Sequence, residues 1–189
     1  MPRLAIFASG SGSNAENLIR FFADSSQISV TRIFCNNSTA GVIQRAENFN
    51  VPVTIFSRED FYNSSQVLNQ LIEDKTDVII LAGFLWLIPQ NLIEQFSNRI
   101  INIHPALLPD YGGKGMYGAR VHEAVIANKE AKSGITIHVV DEKYDNGAIL
   151  FQATCDITPD DTPETLAHKV HALEYEHFPK VVAEFCETV

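Results

Sequence analysis

Residues 4–15 read Leu4-Ala5-Ile6-Phe7-Ala8-Ser9-Gly10-Ser11-Gly12-Ser13-Asn14-Ala15. The short apolar run ahead of a glycine turn has the length of a strand, not of a helix. The glycines let the backbone turn tightly, and over residues 14–22 Leu18, Ile19 and Phe22 recur at helical spacing. Strand, Gly-x-Gly-x-x-Ala and helix together form a βα turn whose N–H groups lie at the positive end of a helix, where a phosphate can bind. A dinucleotide site would add an acidic residue after the second strand to hold a ribose. That position is Cys35-Asn36-Asn37, so the loop suits a phosphate or phosphoribosyl group better than NAD.

Working outward, apolar strand-like runs recur at 30–35, 51–56, 77–82 and 100–104, separated by helical patterns at 41–49, from Ser57 to about 74, and at 89–96. Ser57 with Asp60 resembles an N-cap, and Pro89 suits a first helical turn. The run Val78-Ile79-Ile80-Leu81 fits a central parallel strand buried on both faces. The alternation predicts an α/β fold, a single Rossmann-like domain with a mostly parallel central sheet flanked by helices. The second half differs. Residues 109–118 hold Gly112, Gly113, Gly115 and Gly118 and read as a long loop, followed by a short helix over 122–128. Strands over 134–140 and 148–155, joined by 141–147, predict an antiparallel C-terminal pair. Thr162-Pro163 opens a last helix with Leu166, Val170, Leu173, Phe178, Val181 and Phe185 facing inward, and Pro179 is expected to kink it.

Composition bounds the function. The 189 residues suit one domain, and 46% hydrophobic with 20% charged is globular. The 14 Lys+Arg against 23 Asp+Glu give −9, which repels nucleic-acid phosphates but does not prevent local N–H groups from holding a small anion. Cys35, Cys155 and Cys186 are far apart with no CxxC, which argues against a disulfide framework or zinc knuckle and for a reducing compartment. No apolar run approaches the roughly 20 residues of a membrane span. Met1-Pro2-Arg3-Leu4 leads straight into a strand, so no signal peptide is expected and a cytoplasmic protein is.

The segment Ile101-Asn102-Ile103-His104-Pro105-Ala106-Leu107-Leu108-Pro109 carries the clearest chemistry. Asn102 and His104 are two apart on a strand and share a face at its carboxyl end, where ligands bind in open α/β sheets. An amide donor beside an imidazole suits acyl transfer, one steadying an oxyanion and the other moving a proton. In Asp141–Gly147 the Asp, Asn and Gly residues suit a hairpin loop anyway. Were Asp145 to approach His104 it would raise the imidazole pKa, but spacing alone does not bring them together. His171 and Glu174 are neighbours at i,i+3, equally compatible with a solvated helix face. Leu85 and Trp86 follow the fourth strand, where an apolar wall for a planar ligand would lie. Met116 and Tyr117 line a pocket or fill a loop, and His122 and His138 carry only structural expectations.

Ser9-Gly10-Ser11-Gly12-Ser13-Asn14, Leu81-Ala82-Gly83-Phe84, Asn102-Ile103-His104-Pro105-Ala106-Leu107-Leu108-Pro109 and Asp145 occur in an order that resembles the phosphoribosylglycinamide formyltransferase family, the folate-dependent glycinamide ribonucleotide transformylases. The resemblance covers essentially the whole chain. It implies a formyltransferase domain over 1–189, with a phosphate-binding half at 1–100 and a folate-binding and catalytic half at 101–189. It implies formyl transfer from 10-formyltetrahydrofolate, a co-substrate, to the amine of glycinamide ribonucleotide, without a metal. By that analogy Gly12, Ser13, Asn14, His171 and Glu174 hold the ribonucleotide. Arg58, Leu85, Trp86, Leu87, Ile88 and Asn102 meet the folate, and Asp141, Glu142, Lys143, Tyr144 and Asp145 close around its pterin. Asn102, protonated His104 and Asp145 form the catalytic set. The implied partners are small molecules only, with neither nucleic acid nor membrane, in a monomer or homodimer. The loop over 111–118 is longer than in some family members, and Trp86 stands where other members carry different side chains. A formyltetrahydrofolate hydrolase shares the Asn-x-His-Pro segment but carries an extra N-terminal domain. Transfer to methionyl-tRNA would want a basic surface and an extra C-terminal domain. A non-enzymatic nucleotide-binding module would need only the Gly10–Asn14 loop.

Overall fold

The computed structural model describes residues 1–189. Its elements are β1 (Arg3–Ala8), α1 (Ser13–Phe22), β2 (Ser29–Cys35), α2 (Gly41–Asn48), β3 (Val53–Ile55), α3 (Arg58–Tyr62), α4 (Gln66–Glu73), β4 (Val78–Leu81), α5 (Gln90–Gln95), β5 (Ile100–His104), α6 (Ala119–Ala127), β6 (Lys132–Val139), β7 (Ile149–Asp156) and α7 (Pro163–Cys186). One seven-stranded sheet has the order β3-β2-β1-β4-β5-β6-β7. The first five strands in that order are parallel, and β6 and β7 are antiparallel additions.

Alternation along the central strands builds two cores, one on each face of the sheet. Leu4, Ile6 and Ala8 of β1 join Val78 and Ile80 of β4 against α1, α2, α6 and α7. Ala5 and Phe7 join Ile79 and Leu81 on the opposite face, under α4 and α5. That second core is aromatic. Phe7 stacks on Phe34 with centroids 4.8 Å apart, and Phe56, Phe61 and Phe84 continue the cluster to Trp86. The continuous apolar runs are therefore the sequence of strands covered on both sides.

Two helices depart from expectation. The helix after Ser57 does not run to 74; it stops at Tyr62 and restarts at Gln66. Ser57 and Asp60 form a full capping box at its start, so Asp serves where Glu is usual. At the break, Ser64 Oγ donates to the Asp60 carbonyl (3.0 Å) and accepts from Gln66 N–H (3.2 Å), so a side chain replaces helical bonds. Helix α7 continues through Pro179. Proline cannot donate to the carbonyl four residues back. That carbonyl, of Tyr175, accepts instead from Asn17 Nδ2 of α1 at 3.0 Å. The inward stripe of α7 also differs. Leu173 and Phe185 are only partly buried, while Glu174 is 5% exposed. Cys35 and Cys186 are buried and Cys155 half-buried, all as free thiols.

Candidate active site

The carboxyl ends of β1, β4 and β5 open into one cavity of about 630 Å³. It lies where the strand order reverses, since β1 has β2 on one side and β4 on the other. Ser9 ties the first two ends together: its N–H donates to the Gly83 carbonyl (3.1 Å), and its Oγ accepts from Leu85 N–H (3.1 Å).

The Gly10–Asn14 loop forms one wall. Gly12 is left-handed (φ 77°) and caps α1 with no side-chain bond, so the N–H groups of the first turn stay free. The loop carbonyls are held on the other side. Gly10 O accepts from Val42 N–H (3.2 Å), and Ser11 O accepts from Arg45 Nε (2.8 Å), with Arg45 also paired to Glu16. Donors without carbonyls suit an anion. From α7, Glu174 reaches the same wall, where its carboxylate accepts from Asn14 Nδ2 at 2.9 Å. His171 Nε2 stands 4.0 Å from Glu174 and its ring is exposed. The two are thus brought to the cavity, and Glu174 is not on a solvated face.

Burial raises the Glu174 carboxyl to about 7, only partly offset by the Asn14 bond. The folded protein then holds this proton more tightly than the unfolded chain, so stability falls as pH rises from about 4.5 to about 7. Glu174→Gln is expected to be more stable than the parent by about 2–3 kcal/mol at pH 8 and equal to it near pH 4. Urea unfolding at both pH values checks this. A stability difference that does not change with pH would contradict it.

Asn102 and His104 both face the cavity from β5, as period two requires. His104 is 4% exposed, and its Nε2 donates to the Tyr111 carbonyl at 2.8 Å. This fixes the tautomer and leaves Nδ1 3.6 Å from Asp145 Oδ2. The hairpin loop thus does meet the imidazole, and Asp145 pushes its pKa up as expected, yet the net shift is downward. Burial lowers the His104 pKa, and Asp145 and the Tyr111 carbonyl do not make up the loss. Asp145 sits in a left-handed conformation (φ 51°), which Asp tolerates. Its Oδ2 accepts from Gly113 N–H at 2.9 Å. Gly112 permits this approach, since a Cβ there would lie 3.2 Å from Asp145 Cβ. Burial raises the Asp145 carboxyl, but His138, His104 and the Gly113 N–H outweigh it and hold it below the usual range.

His138, expected to be structural, is buried behind the site and holds Asn102. It pairs with Asn102 in the β5–β6 register. Its Nδ1 donates to the Val139 carbonyl (2.9 Å), leaving Nε2 to accept from Asn102 Nδ2 (3.1 Å). The same Asn102 nitrogen reaches Asp145 Oδ1 at a long 3.4 Å. The missed signal is alternation: counting from a β5–β6 antiparallel pair puts His138 opposite Asn102. His122 is the second surprise. It lines the cavity from α6 at 3% exposure.

Arg58, Tyr62, Leu85, Trp86 and Tyr144 form a further wall. The Arg58 guanidinium lies 5.3 Å from the centroids of both Tyr62 and Trp86, a cation set over two neighbouring aromatic rings. Met116 and Tyr117 also line the cavity, with the cations Lys114 and Arg120. Five expected folate contacts are not on its walls. Ile88 is buried in the aromatic-face core, and Leu87 offers its carbonyl to Tyr62 Oη. Asp141 is occupied in its own loop, accepting from Lys143 N–H and Asn146 Nδ2. Glu142 and Lys143 are exposed, and Glu142 accepts from Gln90. No group of three His, Cys, Asp or Glu side chains converges in a metal-binding arrangement. No helix is long and apolar enough to cross a membrane.

Residues 2–182 match the family model described as formyl transferase. A protein of Arabidopsis thaliana named phosphoribosylglycinamide formyltransferase, chloroplastic, is 39% identical over 98% of this chain and 65% of its own length. The chain thus spans just under two thirds of that relative. The phosphoribosylglycinamide formyltransferase of Bacillus subtilis (strain 168) is 34% identical over 97% of this chain and 94% of its own. The crystal structure of phosphoribosylglycinamide formyltransferase from Bacillus halodurans superposes with a TM-score of 0.85 at 34% identity, covering 98% of this chain and 94% of that one.

Proposed function

The chain belongs to the formyl transferase family, in its phosphoribosylglycinamide formyltransferase branch, and we propose that it transfers the formyl group of 10-formyltetrahydrofolate to the amine of glycinamide ribonucleotide in purine synthesis. The observation that carries this is one cavity joining an uncapped helix start, with free N–H groups, to the Asn102, His104 and Asp145 cluster. Residues 1–189 act as one formyltransferase domain. The free N–H groups of Ser13 and Asn14, set by Gly12, take the phosphate, with His171 and Glu174 on the same substrate. Arg58 takes a folate carboxylate, and Leu85, Trp86 and Tyr144 pack on its rings. The free thiols support a reducing compartment such as the cytoplasm.

In the reaction the substrate amine attacks the formyl carbon, and the folate nitrogen leaves. His104 starts neutral, because burial holds its pKa down. Its Nδ1 takes the proton released by the amine and returns it to the departing nitrogen. Asp145, 3.6 Å away and ionised, steadies the imidazolium in between. Asn102 Nδ2 exchanges its long bond to Asp145 for the developing oxyanion, while His138 keeps its position. The test is purified protein with formyl-labelled 10-formyltetrahydrofolate, with and without glycinamide ribonucleotide. Label is expected on the ribonucleotide, with little formate released in its absence. Formate in both arms would indicate the hydrolase, and no product in either the binding module.

A further inference from the structure

His122 is enclosed at 3% exposure yet lines the cavity, and its Nδ1 is buried with no hydrogen-bond partner. A buried imidazole nitrogen without a partner is costly, and an unmade N–H more so than an unused lone pair. The proton therefore sits on Nε2. With the Nδ1 edge turned into the protein, the Nε2–H edge is the one presented to the cavity. Nothing in the mechanism above uses this donor. Its place is defined by α6, which packs on α7, and by the cavity it shares with two other imidazoles, His171 and His104. One belongs to the ribonucleotide wall and the other to the reacting centre. What lies between the phosphate and the amine of that substrate is the ribose. Burial keeps the ring neutral, with a pKa of about 4, which suits a hydroxyl rather than a phosphate. Resting on the proposed reaction, we infer that His122 is a substrate-binding residue whose Nε2–H donates to a ribose hydroxyl oxygen of glycinamide ribonucleotide.

The experiment is a cycle between enzyme and substrate variants. The parent, His122→Leu and His122→Gln are assayed with glycinamide ribonucleotide and with its 2′-deoxy and 3′-deoxy forms. Removing one hydroxyl is expected to lower kcat/KM of the parent about tenfold, through KM. His122→Leu is expected to lose about tenfold with the full substrate and nothing further with that deoxy form, whereas His122→Gln keeps part of the discrimination. KM for 10-formyltetrahydrofolate should not move in any variant. Should His122→Leu not fold, as judged by thermal melting, His122→Gln carries the comparison. Two results overturn the inference: deoxy losses of the same size in parent and variants, or no deoxy loss in the parent. Failure of the parent to formylate any of the three substrates overturns the proposed reaction instead. Calorimetric binding of the same ribonucleotides, with no folate present, then still reads the His122 contact.

Discussion

His104→Ala is expected to lower the single-turnover rate of formyl transfer by about 10²–10⁴-fold while leaving glycinamide ribonucleotide binding intact. The imidazole is buried, anchored through Nε2 to the Tyr111 carbonyl, and presents Nδ1 to the cavity beside Asp145. Alanine removes the imidazole that accepts and returns the proton. The phosphate wall belongs to β1 and α1 and keeps its shape. The sign of the pH dependence is fixed by the lowered pKa. Neutral His104 is the active form, so its titration makes kcat/KM of the parent rise with pH through a value below 6.5. His104→Ala should lack that rise. Rapid-quench rates across pH, with calorimetry for the ribonucleotide, measure both parts. A variant within tenfold of the parent, or one that no longer binds ribonucleotide, would sink this account.

Gly12→Ala is the second large effect, and it acts on fold and site together. A Cβ at this position would fall on the Cα, Cβ and Cγ2 of Val42, and the residue is left-handed. The left-handed conformation alone costs an L-residue about 1–2 kcal/mol, and the displaced α2 contact adds to it. A total loss of about 3 kcal/mol corresponds to a fall in Tm of about 10 °C for a chain of this size. The N–H groups at the start of α1 would also turn, so KM for the ribonucleotide should rise more than KM for the folate. Gly10→Ala is the matched control. Its Cβ would meet nothing within 4 Å and its φ is not left-handed, so less than about 0.5 kcal/mol is expected. Equal melting temperatures for the two variants would refute the packing account of this loop.

Much of this was legible in the residues. The β1–Gly-rich loop–α1 unit is local chemistry: an apolar run, glycines that permit a turn, and a helical stripe behind them. Val78–Leu81 announced a strand covered on both faces, and its residues do divide between two cores. Asn102 and His104 followed from period two on β5. The misses are of another kind. The break at Asn63–Ser65 turned on one serine side chain competing for backbone partners. Leu173 and Phe185 stay partly exposed while Glu174 is enclosed, because the face of α7 that is covered is set by segments far away in sequence.

The sequence by itself determined which segments are apolar on one face or two, where the chain can turn, and which polar residues share a strand face. Those properties depend on neighbours a few residues away. Only the tertiary structure decided protonation and partnership. Asp145 reaches His104 and His138 across the β5–β6 pairing and the 109–118 loop, and Glu174 meets Asn14 across the helix interface. The sign of the His104 shift shows why. A neighbouring carboxylate raises an imidazole pKa, as the residue types suggest, but burial by remote segments lowers it by more. Desolvation is a property of everything packed around a group, so no local stretch of sequence contains it.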